Sequence, residues 1–120
     1  MKIIICDDEY ATRLLTKAYL DMYQLDIIEA INGKEALQLI ESERPDLLII
    51  DYSMPEMTGL EVIKAINKSI PSIIMTSEGF TEETEKELKD YVAGYLVKPV
   101  MPNTLAEAIE AATGEKIYHK

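Results

Sequence analysis

Four short stretches of the chain carry side chains that could do chemistry together. Asp7, Asp8 and Glu9 follow one apolar run, and Asp51 closes a second (DLLIID). Thr76 and Ser77 follow a third, and Lys98 stands before Pro99 after a fourth. Brought together, Asp7, Asp8 and Asp51 would repel and raise one another's pKa, so a cation is needed to keep them ionised. Hard oxygen ligands in an incomplete protein cage suit Mg²⁺, which keeps several waters and accepts phosphate oxygens. Lys98 would add a fixed positive charge and Thr76 a hydroxyl. A metal, an ammonium and a hydroxyl around one carboxylate suit the stabilisation of a transferring phosphoryl group. Asp51 would then be the nucleophile, giving an aspartyl phosphate. Charge repulsion also predicts that Asp7→Asn stabilises the metal-free fold.

That chemistry requires elements that deliver all these residues to one place. Lys2 to Cys6 reads as a buried strand, followed by Leu14, Leu15, Ala18 and Met22 at helical spacing. Asp26 to Ala30 is a second strand. Asn32 and Glu35 form a capping box for a helix with the stripe Ala36, Leu39 and Ile40, ended by Pro45. Asp46 to Asp51 is the third strand. Thr58 and Glu61 form another capping box, with Leu60, Ile63 and Ile66 facing inward. Ser72 to Thr76 is the fourth strand. Thr81 caps a helix with Glu82 and Glu83 in its first turn, where the helix dipole favours acids. Tyr95 to Val97 is the fifth strand. Leu105, Ala108, Ile109 and Ala112 line a last helix, stopped by Gly114. Strict alternation of strand and helix predicts an α/β fold, a parallel sheet with helices on both faces. Such sheets place ligand sites beyond the carboxyl ends of their strands. The chemically able residues all lie at those ends.

In that setting the chain resembles the response-regulator receiver domain. The carriers are DDE after the first strand, D-x-x-M-P-x-M-x-G from Asp51, T-S after the fourth strand and K-P after the fifth. The resemblance runs from about Met1 to Thr113 and implies a single receiver domain over 1–120. The implied fold is the flavodoxin-like doubly wound five-stranded sheet, order 2-1-3-4-5, with five helices. Asp51 matches the phosphoacceptor, served by a sensor histidine kinase, a phosphotransfer protein or a small phosphodonor. Asp8, Asp51 and the Ser53 backbone carbonyl match the Mg²⁺ ligands, with Asp7 acting through water. Thr76 matches the hydroxyl that binds the phosphoryl group and Lys98 the lysine that pairs with it. Tyr95 matches the aromatic switch that moves inward with Thr76, and Lys98-Pro99 a cis peptide. The resemblance implies a signalling switch with its own phosphorylation and hydrolysis chemistry, not an enzyme, controlling a downstream target protein. Tyr91 and Val92 depart from the family's frequent Gly-Ala, and bulk at Tyr91 is expected to restrict Tyr95.

Composition agrees with this reading. The chain has 120 residues, 48% of them hydrophobic, which suits one folded domain. A net charge of −10 argues against direct binding to nucleic acid or an anionic membrane. The apolar runs are too short to span a bilayer, and Met1 to Cys6 is no signal peptide. The single cysteine, Cys6, fits a reducing compartment, so a cytoplasmic protein is expected. If the chain ends at Lys120, action by docking to another protein is expected; if it belongs to a longer regulator, the expected output could be transcriptional.

Blander readings stand beside each residue. Asp7 or Asp8 could cap the first helix, Thr76 could close its strand structurally, and Tyr95 could be a half-buried strand residue. Cys6 reads as core and His119 as surface. Among rival functions, an aspartyl-phosphate hydrolase would resemble D-x-D-x-T, but Ser53 stands where the second Asp is required. An FMN carrier would need hydroxyls and glycines where Asp7, Asp8 and Glu9 stand. A phosphorylation-independent interaction module on the same fold is the remaining alternative.

Overall fold

The strands form where β-branched runs can be covered on both sides. The computed structural model describes all residues, 1–120, and alternates five strands with five helices. The elements are β1 (Lys2–Cys6), α1 (Tyr10–Leu20), β2 (Asp26–Ala30), α2 (Gly33–Glu43) and β3 (Leu47–Asp51), followed by α3 (Gly59–Ile66), β4 (Ser72–Thr76), α4 (Glu82–Lys89), β5 (Gly94–Val97) and α5 (Pro102–Thr113). The five strands pair in parallel throughout and their order is β2-β1-β3-β4-β5, as expected.

Alternate strand residues feed two apolar layers. Ile4, Leu48, Ile50 and Ile74 face Ala36, Val62, Ile63 and Leu88 from α2, α3 and α4. Ile3, Ile5, Leu47, Ile49, Ile73 and Met75 face Leu20, Leu105 and Ile109 from α1 and α5. All residues of β3 and β4 are buried, which fixes their carboxyl ends firmly.

The local signals act largely as expected. Asn32 accepts from Glu35 N at 2.8 Å, although Glu35 reaches back to Ile31 N and not to the cap itself. Thr58 and Glu61 form the full capping box. Arg44 takes a left-handed C-cap conformation (φ 47°) before Pro45, and Gly114 does the same (φ 73°) after α5. Asp46 lies just outside β3, where its carboxylate accepts from Lys2 N at 2.7 Å.

The first helix corrects the expected stripe. Leu14, Leu15 and Met22 are about half exposed, and Thr16 and Leu20 are the buried residues of α1. Thr12, Arg13, Tyr19 and Tyr23 flank them as partly buried neighbours at helical spacing. Thr16 can face inward because its hydroxyl donates to Thr12 O at 2.8 Å, which satisfies it within the helix.

Candidate functional site

The β1, β3, β4 and β5 ends bring Asp7, Asp51, Thr76 and Lys98 to one edge of the sheet. Asp7 is fully buried, Asp51 and Thr76 nearly so, and Asp8 is exposed. Carboxylate oxygens of Asp7, Asp8 and Asp51 lie within 4.8 Å of one another. Lys98 Nζ stands 3.0 Å from Asp7 Oδ2 and 2.9 Å from Asp51 Oδ1. Three carboxylates against one ammonium leave a formal charge of −2, which suits a divalent cation with oxygen ligands.

Asp7 is saturated by its neighbours. Its Oδ1 accepts from Glu9 N (2.9 Å), its backbone N donates to Ala30 O (3.2 Å), and its backbone O accepts from Arg13 Nη1 (2.8 Å). Asp51 is held differently, by close backbone packing beneath it. A Cβ on Gly59 would come 2.4 Å from Asp51 O, and Gly59 N donates to Tyr52 O at 2.9 Å. The glycine of the D-x-x-M-P-x-M-x-G run is therefore a close-approach residue.

Electrostatics separate the charged groups. Burial, first of all, raises the Asp51 pKa above the usual carboxylate range; the Lys98 hydrogen bond opposes it, while Asp7 and Asp8 add to it. Burial alone would lower Lys98, but its bonds to Asp51 and Asp7 prevail and raise it. Neutralising Asp51 should therefore relieve a burial cost in the metal-free chain, whereas neutralising Asp7 would also weaken the bonds it accepts from Glu9 N and Lys98. Burial, followed by the charge of Asp7, pushes the Cys6 thiol up to about 12. Its Sγ lies 3.3 Å from Asn32 O in the core, so it is an inert thiol, as read from the sequence.

The residues read as a switch are placed apart. Thr76 Oγ1 donates to Glu78 O at 2.5 Å and accepts from Glu78 N at 3.2 Å. Tyr95 is 48% exposed and donates to Glu85 Oε1 at 2.7 Å. Phe80 stands edge-on to both Tyr52 (5.1 Å) and Tyr95 (6.0 Å). The Tyr91 ring instead has the Lys64 Nζ of α3 5.9 Å from its centre. Phe80, not Tyr91, is therefore the bulky neighbour of Tyr95. The Lys98-Pro99 bond is cis. The N-cap of α1 is Glu9, without a side-chain cap bond, so neither Asp7 nor Asp8 is spent on capping.

Sequence reasoning gave no role to Arg13, Gly59, Phe80 or Glu85. Only Gly59 carried a signal, as the glycine that closes the Asp51 motif.

The comparisons with known proteins agree with this geometry. The response regulator receiver domain model matches residues 3–110. The chain is 36% identical to chemotaxis protein CheY1 of Helicobacter pylori, over 95% of this chain and 98% of that protein. It is 30% identical to sporulation initiation phosphotransferase F of Bacillus subtilis, over 91% of this chain and 90% of the relative. The crystal structure of Vibrio cholerae chemotaxis protein CheY4 superposes with a TM-score of 0.84 at 30% identity, covering 92% of this chain and 97% of that one. A family match across most of the chain, relatives aligned over nearly their whole length and the strand order 2-1-3-4-5 agree, and the chain belongs to the response regulator receiver domain family.

Proposed function

We propose that residues 1–120 act as one receiver domain in which Asp51 accepts a phosphoryl group in a Mg²⁺-dependent reaction. The observation that carries this reading is the Lys98 ammonium held between Asp7 and Asp51 inside a three-carboxylate cluster. Asp51 offers a carboxylate oxygen to phosphorus. The P–N bond of a phosphohistidine on a sensor kinase or phosphotransfer protein breaks, and its electron pair returns to the imidazole. A small acyl phosphate would serve in the same way. Lys98 stands ready to pair with the incoming oxygens, and the Thr76 hydroxyl is the candidate donor once it leaves Glu78. Asp8, Asp51 and the Ser53 carbonyl would hold Mg²⁺, with Asp7 acting through water. The bound ion would neutralise phosphoryl charge. Attack by water on phosphorus, with Asp51 leaving, ends the signal.

The product is a conformation, read by a downstream protein, in a cytoplasmic setting. Tyr95 is the proposed reporter of the phosphorylated state. No nucleic acid or membrane is expected as a direct partner, given the charge of −10. The test is incubation with acetyl phosphate followed by mass spectrometry. Acid-labile, hydroxylamine-sensitive phosphate should appear on Asp51, vanish in excess EDTA and be absent from Asp51→Asn. Phosphate on Ser53, Ser77 or His119, or transfer that persists in EDTA, would overturn the assignment.

A further inference from the structure

We infer that Arg13 is a positioning residue for the cation site, a role that rests on the reading of Asp7, Asp8 and Asp51 as that site. Arg13 lies on α1 and is not part of the cluster. Its side chain is only 11% exposed, and it points back under the β1–α1 loop. Nη1 donates to the backbone carbonyl of Asp7 at 2.8 Å, and Nε donates to Glu29 Oε1 on β2 at 3.3 Å. Glu29 is itself held by Lys17 at 3.4 Å. The guanidinium thus spans from the edge strand to the Asp7–Asp8 peptide.

That peptide sets where the Asp8 carboxylate can point. The Asp7 side chain is fixed by Glu9 N and Lys98, and its backbone N by Ala30. The Asp7 carbonyl is the last group that could let the peptide turn, and Arg13 holds it. Asp8 is exposed, so its direction comes from the backbone that carries it. A rigid fork with several donors can grip the carbonyl and Glu29 at once, whereas an ammonium on a flexible stem is a point charge without that fixed geometry.

Arg13 is positive and close to a site for a positive ion. Through charge alone, removing it should tighten cation binding. As a positioning residue, its removal should weaken binding, by about tenfold if it behaves like other outer-shell partners of metal ligands. The two effects oppose each other, so the direction of the change decides between them.

The experiment titrates the wild-type chain, Arg13→Ala and Arg13→Lys with MgCl₂. Binding is followed by amide NMR shifts of Asp8 and Asp51, and the thermal midpoint of each variant is measured in EDTA. Arg13→Ala and Arg13→Lys should both bind more weakly than wild type. The initial rate of phosphorylation by acetyl phosphate should recover toward wild type when Mg²⁺ saturates. A loss of rate that saturating Mg²⁺ does not restore would mark a merely structural role and overturn the proposal. Equal or tighter binding by Arg13→Ala would do so too, with the cation site left standing. If Arg13→Ala does not fold, Arg13→Lys decides alone: wild-type affinity in that variant would sink the positioning role. Wild type that shows no Mg²⁺-dependent shift would remove the cation site itself, and the Arg13 role with it.

Discussion

The folded environment of Asp51 works against its charge. Its pKa is raised chiefly by burial, so the folded chain holds its proton more tightly than the unfolded one. Such a group contributes its full stability below the unfolded carboxyl range, near 4, and loses it as pH rises through the folded pKa. At neutral pH, without a cation, Asp51 therefore costs stability, and Asp51→Asn should raise the Tm measured in EDTA by a few degrees. Lys98 has the opposite sign. Its folded pKa is raised by its bonds to Asp51 and Asp7 in spite of burial, so its stability is fully present below the unfolded lysine value and lost only in alkali. Lys98→Ala leaves two buried carboxylates unpaired and should cost about 3 kcal/mol. Asp7→Asn should also lower the Tm, because Glu9 N and Lys98 both lose an anionic acceptor. Scanning calorimetry of the three variants checks the pattern of one rise and two falls. A fall for Asp51→Asn would mean that pairing with Lys98 outweighs burial.

At the scale of elements, α1 separates what a hydrophobic pattern reveals from what it hides. The leucines at 14 and 15 suggested the buried stripe, yet Thr16 and Leu20 face the sheet. A helix can bury a threonine whose hydroxyl bonds its own backbone, and that satisfaction leaves no trace in an apolar count. The strands were far more legible, because IIIC and LLII runs covered on both faces need no choice of side. The N-cap at Asn32, the capping box at Thr58 and the breaks at Pro45 and Gly114 fix helix ends for the same reason: they are local. Strand ends in turn brought Asp7, Asp51, Thr76 and Lys98 together, so most of the candidate site could be read from sequence. Arg13 could not, since its contacts to Asp7 and Glu29 depend on how α1 sits across β1 and β2. The orientation of α1 has its own test. Leu20→Ala should cost about 3 kcal/mol in urea unfolding, and Leu14→Ser should stay within about 0.5 kcal/mol. Equal costs would contradict the face assigned. Gly59→Ala should cost about 2 kcal/mol from crowding against the Asp51 carbonyl. It should also slow phosphate uptake at Asp51, because the crowded atom belongs to the acceptor residue.

Over the whole molecule, the proposed signal must travel from the end of β3 to the exposed edge of β5. Phosphorylation at Asp51 would add about −1.5 to −2 units of charge and three acceptor oxygens. Lys98 can balance part of that charge, but a further oxygen needs a donor. Thr76 is on the neighbouring strand end, and its hydroxyl is now spent on Glu78. Drawing it to the phosphoryl group would release the 77–80 loop. Phe80 sits in that loop, between Tyr52 beside the acceptor and Tyr95 at the edge. The β4–β5 register places Ile74 beside Tyr95 and Thr76 beside Val97, so Thr76 and Tyr95 project from the same face of the sheet. Any inward turn of Tyr95 must therefore move Phe80 and give up the bond to Glu85. A few kcal/mol of preference for one arrangement is enough to shift such a two-state population. The measurement is amide NMR on wild type and Thr76→Ala, each with Mg²⁺ and with or without beryllofluoride as a phosphoryl mimic. In Thr76→Ala the shifts near Asp51 should survive, while those around Phe80, Tyr95 and Met101 should shrink. Glu85→Gln keeps a weaker acceptor and should leave the distal shifts in place. Distal shifts of full size in Thr76→Ala would show that the coupling bypasses Thr76 and that Tyr95 is not driven by it.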